Sequence, residues 1–167
     1  NRQTVTSFGA GDGFIAKFGT DGSFQWVKQF GSTNGSDMAL DVDTDAAGIA
    51  YIAGYSYGYT QFGSGTSRVG VNGYGNGTAN LVIAKYLPDG TLSWSQLAGG
   101  TGNAFGHSIA VDSAGNFVVT GYFSSNISFR NGSNAKVLLP STTGSNDGFI
   151  AKFNSGDAIV ALRVSFV

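Results

Sequence analysis

The side chains best suited to bind a metal are three aspartates at alternate positions, Asp41, Asp43 and Asp45. Carboxylate oxygens are ligands that Ca²⁺ prefers, so a loop carrying them could hold that ion. The spacing differs from an EF-hand loop, because Ala46 stands where that loop needs glycine and the chain contains no glutamate. The pattern also suits the residues of a solvated turn that ends at Gly48. The sequence favours the turn, and calcium is the only cofactor that it suggests.

A second candidate site is a group of three tyrosines, Tyr55, Tyr57 and Tyr59. In an extended chain alternate side chains point to the same face, so these rings would form one row. A row of tyrosines can stack on sugar rings or contact a partner protein. The alternative is that the rings pack against neighbouring parts of the fold. The row is therefore a candidate ligand site, with glycans as the ligand class.

The residues needed for catalysis are sparse. His107 is the only histidine and the chain has no cysteine, so neither a second imidazole nor a thiolate completes a site. A serine hydrolase would need a Gly-x-Ser-x-Gly turn between a strand and a helix, and no helix is expected here. Other hydrolases or lyases would need paired acids or a metal cluster, whereas these aspartates are isolated. We therefore expect a protein that is not an enzyme, with His107 in a structural or surface role.

Three lysines, Lys17, Lys85 and Lys152, each follow an Ile-Ala pair. A phosphate site would need a glycine-rich loop leading into a helix N-terminus, and these positions have neither. In a strand, the isoleucine and the lysine share one face. The pattern predicts that each lysine stem packs on a neighbouring unit, with its amine near an aspartate or a carbonyl.

These lysines mark an internal repeat. Residues 12–18 and residues 147–153 are the same heptapeptide, Asp-Gly-Phe-Ile-Ala-Lys-Phe, and residues 80–86 are a relaxed copy. The three lysines are 68 and 67 residues apart. A fixed period of this size indicates one supersecondary unit repeated along the chain.

Each repeat contains signals for four short strands. After the lysine strand come an Asp-Gly turn and a second strand with a tryptophan nine residues beyond the lysine, Trp26 or Trp94. Two further apolar strands follow a glycine-rich connection, and the second of them ends at Gly54 or Gly121. A long polar stretch, residues 55–80 in one copy, then leads back to the lysine strand. Because this stretch varies most between copies, it is predicted to be a surface loop.

Composition agrees with an all-β class. Twenty-seven glycines, no glutamate and few lysines argue against helices, while 41% apolar residues argue against disorder. The net charge is −1 and no basic run occurs, so nucleic acid is not an expected partner. No apolar run approaches the ~20 residues that span a bilayer, so membrane insertion is not expected either.

Four-stranded units with recurring aromatic and glycine positions are typical of antiparallel β-propeller blades. Residues 1–37 are predicted to be a half blade containing its last two strands, and residues 38–106 a complete blade. Residues 107–167 are predicted to be a complete blade with an atypical terminal strand, in which Ala161 replaces the tryptophan. All three belong to one array of about two and a half blades, fewer than the four to eight of closed propellers. We therefore expect either a fragment of a longer protein or a subunit that assembles with other copies.

The chain also resembles a known repeat family. Residues 108–123, the Gly-Phe-Ile-Ala-Lys-Phe strand and the Asp-Gly turn before Trp94 and Gly99-Gly100 are similar to the bacterial SBBP-type β-propeller repeat. This resemblance implies a secreted or cell-surface protein with many repeats, and it carries no catalytic motif. The expected function is thus a non-enzymatic, extracellular structural or adhesive segment, whose partners are further blades or other copies. A carbohydrate-binding propeller is the alternative.

Overall fold

The computed structural model describes residues 3–63, 67–75, 77–131, 135–140 and 146–165. Fourteen β-strands lie within these ranges, most of them in three four-stranded antiparallel sheets. None of the described residues forms a helix long and apolar enough to cross a membrane. The prediction of an all-β fold built from four-stranded, propeller-type blades is confirmed, and the row of blades does not close.

The lysine strand of each repeat forms a hairpin with the strand after it. The hairpins are β1 (Gly13–Phe18) with β2 (Phe24–Gly31), β7 (Ala79–Tyr86) with β8 (Leu92–Ala98), and β13 (Asp147–Phe153) with β14 (Ile159–Ser165). Their tight turns need one residue with positive φ, which is Gly22 in the first hairpin and Gly90 in the second. In the third hairpin Asp157 takes this conformation, with φ of 67°.

The other two strands of each repeat complete the sheet on the inner side of the lysine strand. They are β3 (Met38–Thr44) with β4 (Ala50–Tyr57), and β9 (Ala104–Val111) with β10 (Phe117–Phe123). The sheet β3-β4-β7-β8 is called the second blade, and the sheet β9-β10-β13-β14 the third blade. The third blade begins at Ala104, three residues before the expected boundary at residue 107.

The stretch predicted to be a surface loop is instead partly a hairpin that pairs with the preceding blade. It contains β5 (Thr60–Phe62) and β6 (Val69–Val71), which extend the first sheet in the order β1-β2-β5-β6, called the first blade. In the next repeat β11 (Ile127–Asn131) and β12 (Ala135–Leu139) form a similar hairpin, and a bridge joins Ser128 to Gly99 at the end of the second blade. The outer strand of each of these two blades thus meets a hairpin from the next repeat.

Buried aromatic rings explain why these stretches form hairpins packed on the fold rather than exposed loops. Phe62 is 1% exposed and stacks on Phe30 of β2, with ring centres 5.7 Å apart. Phe129 is fully buried and its ring centre lies 5.6 Å from that of Phe149. Each hairpin removes one large ring from water and covers an open strand edge.

The core consists of two apolar layers, one between each pair of neighbouring blades. One layer joins Ile15, Trp26 and Phe30 of the first blade to the second blade, and the other joins the second blade to the third. Strand β7 is buried along its whole length because it contributes to both layers. Val82 and Tyr86 face the first blade, while Leu81 and Ile83 face the third. A sheet covered on both faces explains the continuous apolar pattern of its strands.

Candidate functional site

Asp41 and Asp43 lie on strand β3 and link it to the next blade. The Asp41 carboxylate accepts hydrogen bonds from the Ser108 hydroxyl at 2.6 Å and from the Ile109 amide at 2.9 Å. The Asp43 carboxylate accepts one from the Val111 amide at 2.8 Å. The interpretation of these two aspartates as turn residues is therefore wrong. They connect β3 of one blade to β9 of the next, and their carboxylates accept hydrogen bonds from backbone amides at the edge of β9 that pair with no other described strand.

Asp45 does lie in a turn, as expected. Its carboxylate accepts hydrogen bonds from the amides of Ala47 and Ile49 and from the Tyr51 hydroxyl, at 3.0, 3.0 and 3.1 Å. Burial, together with the bond to Asp45 and its charge, raises the pKa of Tyr51 to about 12. No group of three or more His, Cys, Asp or Glu side chains that could hold a metal occurs among the described residues. Calcium binding stays a prediction from the spacing alone.

Stability at this junction should depend on pH through Asp41. Burial opposes its ionisation, but hydrogen bonds from Ser108, Ile109 and Val42 outweigh that effect and hold its pKa below the usual value. In the unfolded chain the pKa of this aspartate is about 4, and in the folded chain it is lower. The ionised carboxylate therefore stabilises the fold fully above the unfolded pKa, and this stabilisation is lost as the pH falls through the folded pKa. We expect Asp41→Asn to lower the free energy of unfolding at pH 7 by about 1 kcal/mol and to flatten its fall at acid pH.

Denaturant unfolding at pH 7 and at several values below pH 4 measures this effect. Ser108→Ala is the graded comparison, because it removes the largest of the three hydrogen bonds that lower the pKa of Asp41 and keeps the carboxylate itself. It should reduce the pH dependence, and Asp41→Asn should remove the whole contribution of this residue. Equal pH dependence in the Asp41→Asn variant and the unmodified chain would contradict this role of Asp41.

The repeated lysines each point toward the following blade where one is present. The Lys17 ammonium donates to the Pro88 carbonyl at 3.0 Å. The Lys85 ammonium pairs with the Asp157 carboxylate at 2.8 Å and lies 5.3 Å from the centre of the Tyr51 ring. Both contacts correspond to the packing role expected from the sequence. Lys152 belongs to the last blade of the row and is exposed.

The positive φ of Asp157 has a local reason. The equivalent residues of the other two turns, five after the lysine, are glycines, for which this conformation carries no steric penalty. An aspartate there is strained by on the order of 1 kcal/mol. Its ion pair with Lys85, whose side chain is only 8% exposed, offsets that strain.

The two tryptophans anchor their blades against the next one. The Trp26 indole nitrogen donates to the same Pro88 carbonyl, at 2.9 Å. The Trp94 ring packs edge-on against Phe117 and Phe153 of the third blade, with ring centres 6.1 Å apart in both cases. The third blade has Ala161 opposite its lysine, so this anchor is missing from the last blade described.

Gly54 and Gly121 occupy positions where a side chain cannot fit. Each lies beside a shift in register between the first and second strands of its blade. A Cβ atom on Gly54 would lie 1.9 Å from the Met38 carbonyl oxygen, and one on Gly121 would lie 1.9 Å from that of Phe105. These glycines therefore allow the backbones of paired strands to approach closely at the bulge.

Aromatic rings form a continuous row across the junction between the second and third blades. Its members are Tyr57, Tyr55, Phe105, Tyr122 and His107, whose successive ring centres lie 6.1, 4.8, 5.0 and 5.2 Å apart. The four aromatic residues before His107 are half-buried, and His107 is exposed. Burial is the main cause of the raised pKa of Tyr55.

This aromatic row differs from the one expected from the sequence. Tyr59 lies outside it, because β4 ends at Tyr57 and Gly58, with φ of 64°, turns the chain away. The expectation that all three tyrosines share one row is therefore wrong for Tyr59. Sequence analysis missed Phe105, which lies in a stretch interpreted as a glycine-rich connection.

The first blade leaves aromatic side chains uncovered on the side away from the second blade, which is called the open face of the first blade. Phe14, three residues before the lysine, is 63% exposed, and Phe18, directly after the lysine, is 59% exposed. The residues at the same repeat positions in the other blades, Val82, Tyr86, Phe149 and Phe153, are between 0 and 2% exposed. What distinguishes Phe14 and Phe18 is that no blade precedes theirs in the described part of the chain.

The third blade has a matching open face on its far side. Ile150, two residues before the lysine, is 51% exposed, whereas Ile15 and Ile83 at the same position are 8% and 0% exposed. Lys152 and Arg163 are exposed on neighbouring strands of the same sheet. The described array therefore ends in one aromatic face and one face that combines an apolar residue with positive charge.

Part of the chain matches a known family model. Residues 93–127 match the family model for the SBBP beta-propeller repeat. This segment runs from β8 of the second blade, through the first two strands of the third blade, to the start of β11. No curated protein matches the chain. The chain therefore contains a β-propeller repeat of the SBBP type, within an open row of four-stranded blades.

Proposed function

We propose that this chain is a non-enzymatic structural segment of a secreted or cell-surface protein. Its blades stack with further blades, from the same parent protein or from other copies, to build a larger ring or fibre. The observation that carries the proposal is the exposure of Phe14 and Phe18 at positions that are buried in both other blades. Exposed aromatic patches of this kind are typical of surfaces that contact another protein.

Backbone pairing supports the same role. The lysine strands β7 and β13 each pair with a neighbour on both sides, whereas β1 pairs with β2 alone among the described strands. A groove of about 230 Å³ lies beside β1, lined by Phe14, Ala16, Leu40 and Val42 among others. In the second and third blades the inner side of the lysine strand is filled by two strands. An unpaired edge beside an apolar groove can accept a strand from another part of an assembly.

Two observations support a role other than catalysis. His107, the only histidine, is the last ring of the aromatic row. Ser56, the serine of the sequence Gly54-Tyr-Ser-Tyr-Gly58, is fully buried in β4 and accepts a hydrogen bond from Thr60. Within the described ranges, neither residue has the partners that activate a nucleophile. The extracellular setting rests on the family resemblance.

The proposal is tested by measuring the mass of residues 1–167 in solution by light scattering over a range of concentrations. We expect species larger than the 17.2 kDa of a single chain, with a population that grows with concentration. A compact, stable monomer at every concentration would contradict the assembly role.

A second candidate function is binding of carbohydrate, favoured by the aromatic row. Half-exposed rings about 5 Å apart can stack on successive sugar units. On a glycan array, we expect the unmodified chain to bind a polysaccharide and Tyr57→Ala or Tyr122→Ala to weaken that binding about fivefold or more. Tyr59→Ala is the matched control, because Tyr59 lies outside the row and should leave binding unchanged. The absence of any hit, or equal loss with Tyr59→Ala, would contradict this function.

A further inference from the structure

The two junctions between blades follow one rule for polar contacts. The lysine of one blade donates to a backbone carbonyl in the turn of the next blade. The residue that carries this carbonyl lies three positions after the lysine of the next blade. Lys17 donates to the carbonyl of Pro88 at 3.0 Å, and Lys85 reaches that of Ser155 at 3.5 Å. The equivalent turn residue of the first blade is Thr20, and the equivalent lysine of the third blade is Lys152.

Apolar contacts at the junctions also repeat. The isoleucine before each lysine belongs to the layer facing the next blade, as Ile15 and Ile83 do. In each repeat, two other residues face the preceding blade: the one three positions before the lysine and the one directly after it. In the second blade these are Val82 and Tyr86, which belong to the layer shared with Ile15. The two open faces present the unmatched halves of this arrangement, with Ile150 on one and Phe14 and Phe18 on the other.

Charge is complementary where the turn of the first blade would meet the open face of the third blade. The open face of the third blade carries Lys152 and Arg163, both exposed. The turn of the first blade carries Asp21, which is exposed beside Thr20. Opposite charges would therefore meet if a first blade were placed after a third blade.

We propose that copies of this chain associate head to tail, with the open face of the third blade of one copy covering the open face of the first blade of the next. This inference rests on the proposed structural function and names its partner, a second copy. Lys152 then donates to the Thr20 carbonyl and lies near Asp21, while Ile150 packs on Phe14 and Phe18. Such a contact joins two different surfaces, so it produces rings when its rotation closes and fibres when it does not.

Charge reversal on either side of the contact tests the proposal. Lys152→Glu places an acidic group opposite Asp21, and Asp21→Lys places a basic group opposite Lys152. We expect each variant alone to self-associate about fivefold more weakly than the unmodified chain, measured by sedimentation velocity at low salt. Circular dichroism and thermal melting should show that both variants fold, because the two side chains lie on the surface.

Mixing the two variants is the decisive step. In the mixture, Glu at position 152 of one chain meets Lys at position 21 of the other, while the remaining pair is Lys152 with Asp21. Association of the mixture should therefore return to that of the unmodified chain. Association unaffected by either substitution, or not restored by mixing, would overturn this contact and leave the proposed function standing. A complete lack of association in the unmodified chain would contradict both.

Discussion

Replacement of Gly121 by alanine should lower the free energy of unfolding by about 3 kcal/mol or more. The new Cβ would lie 1.9 Å from the Phe105 carbonyl oxygen and 2.8 Å from an edge carbon of the Phe149 ring. Relief would require the two inner strands of the third blade to separate at their bulge. Gly54→Ala should have a comparable effect in the second blade, because its Cβ would meet the Met38 carbonyl oxygen at 1.9 Å.

Urea denaturation followed by circular dichroism measures this loss. Gly11→Ala is the matched control, since the new methyl group would lie 3.8 Å or more from its nearest neighbours, two side-chain atoms of Ser36. That substitution should change the free energy of unfolding by less than about 0.5 kcal/mol. A Gly121→Ala variant as stable as the Gly11→Ala variant would show that the close approach at the bulge is not required.

Phe153→Ala should lower the free energy of unfolding by about 3–5 kcal/mol, the usual range for a large buried ring. Phe153 is fully buried, and its ring stacks on Phe117 with centres 4.7 Å apart and planes within 3°. It also contacts the Trp94 ring across the junction. Its removal leaves a cavity between the second and third blades that neighbouring strands cannot readily fill.

Phe18→Ala is the matched comparison, because Phe18 occupies the same repeat position but is 59% exposed. In dilute solution, where single chains dominate, this variant should lose less than about 1 kcal/mol of stability. In concentrated solution it should associate more weakly than the unmodified chain. Equal destabilisation by Phe18→Ala and Phe153→Ala in dilute solution would mean that Phe18 is already covered within one chain.

Much of the fold could be predicted because the repeat places the same signals at fixed intervals. Lys17, Lys85 and Lys152 identified the period, and the Asp-Gly turns and the tryptophans identified the hairpins. Each of these features acts over a few residues, so the sequence pattern alone specifies it. The four-stranded blades and their order followed directly from that periodicity.

Contacts between repeats were harder to predict, because they depend on which residues meet across blades. The stretch before Asn80 is variable and polar, which hid the hairpin containing Phe62. Only the open edge of β2, provided by another repeat, makes that hairpin favourable. Asp41 and Asp43 looked like turn residues for the same reason, since their partners lie on β9, 67 or 68 residues later.

The aromatic row also depends on contacts between blades that a single repeat does not reveal. Alternation correctly placed Tyr55 and Tyr57 near each other, but the end of β4 before Tyr59 depends on the turn at Gly58. Phe105 and Tyr122 join the row only because β9 packs beside β4. A pattern within one strand cannot indicate which rings a neighbouring blade will contribute.

If the open faces of the first and third blades are contact surfaces, their side chains should lose exposure to water when chains associate. Hydroxyl-radical footprinting at increasing protein concentration reports the solvent exposure of individual side chains. We expect oxidation of Phe14, Phe18 and Ile150 to fall as concentration rises, while that of Leu138, which is 55% exposed on the hairpin beside the second blade, stays constant. Unchanged oxidation of Phe14, Phe18 and Ile150 at concentrations where the chain associates would contradict contact through these faces.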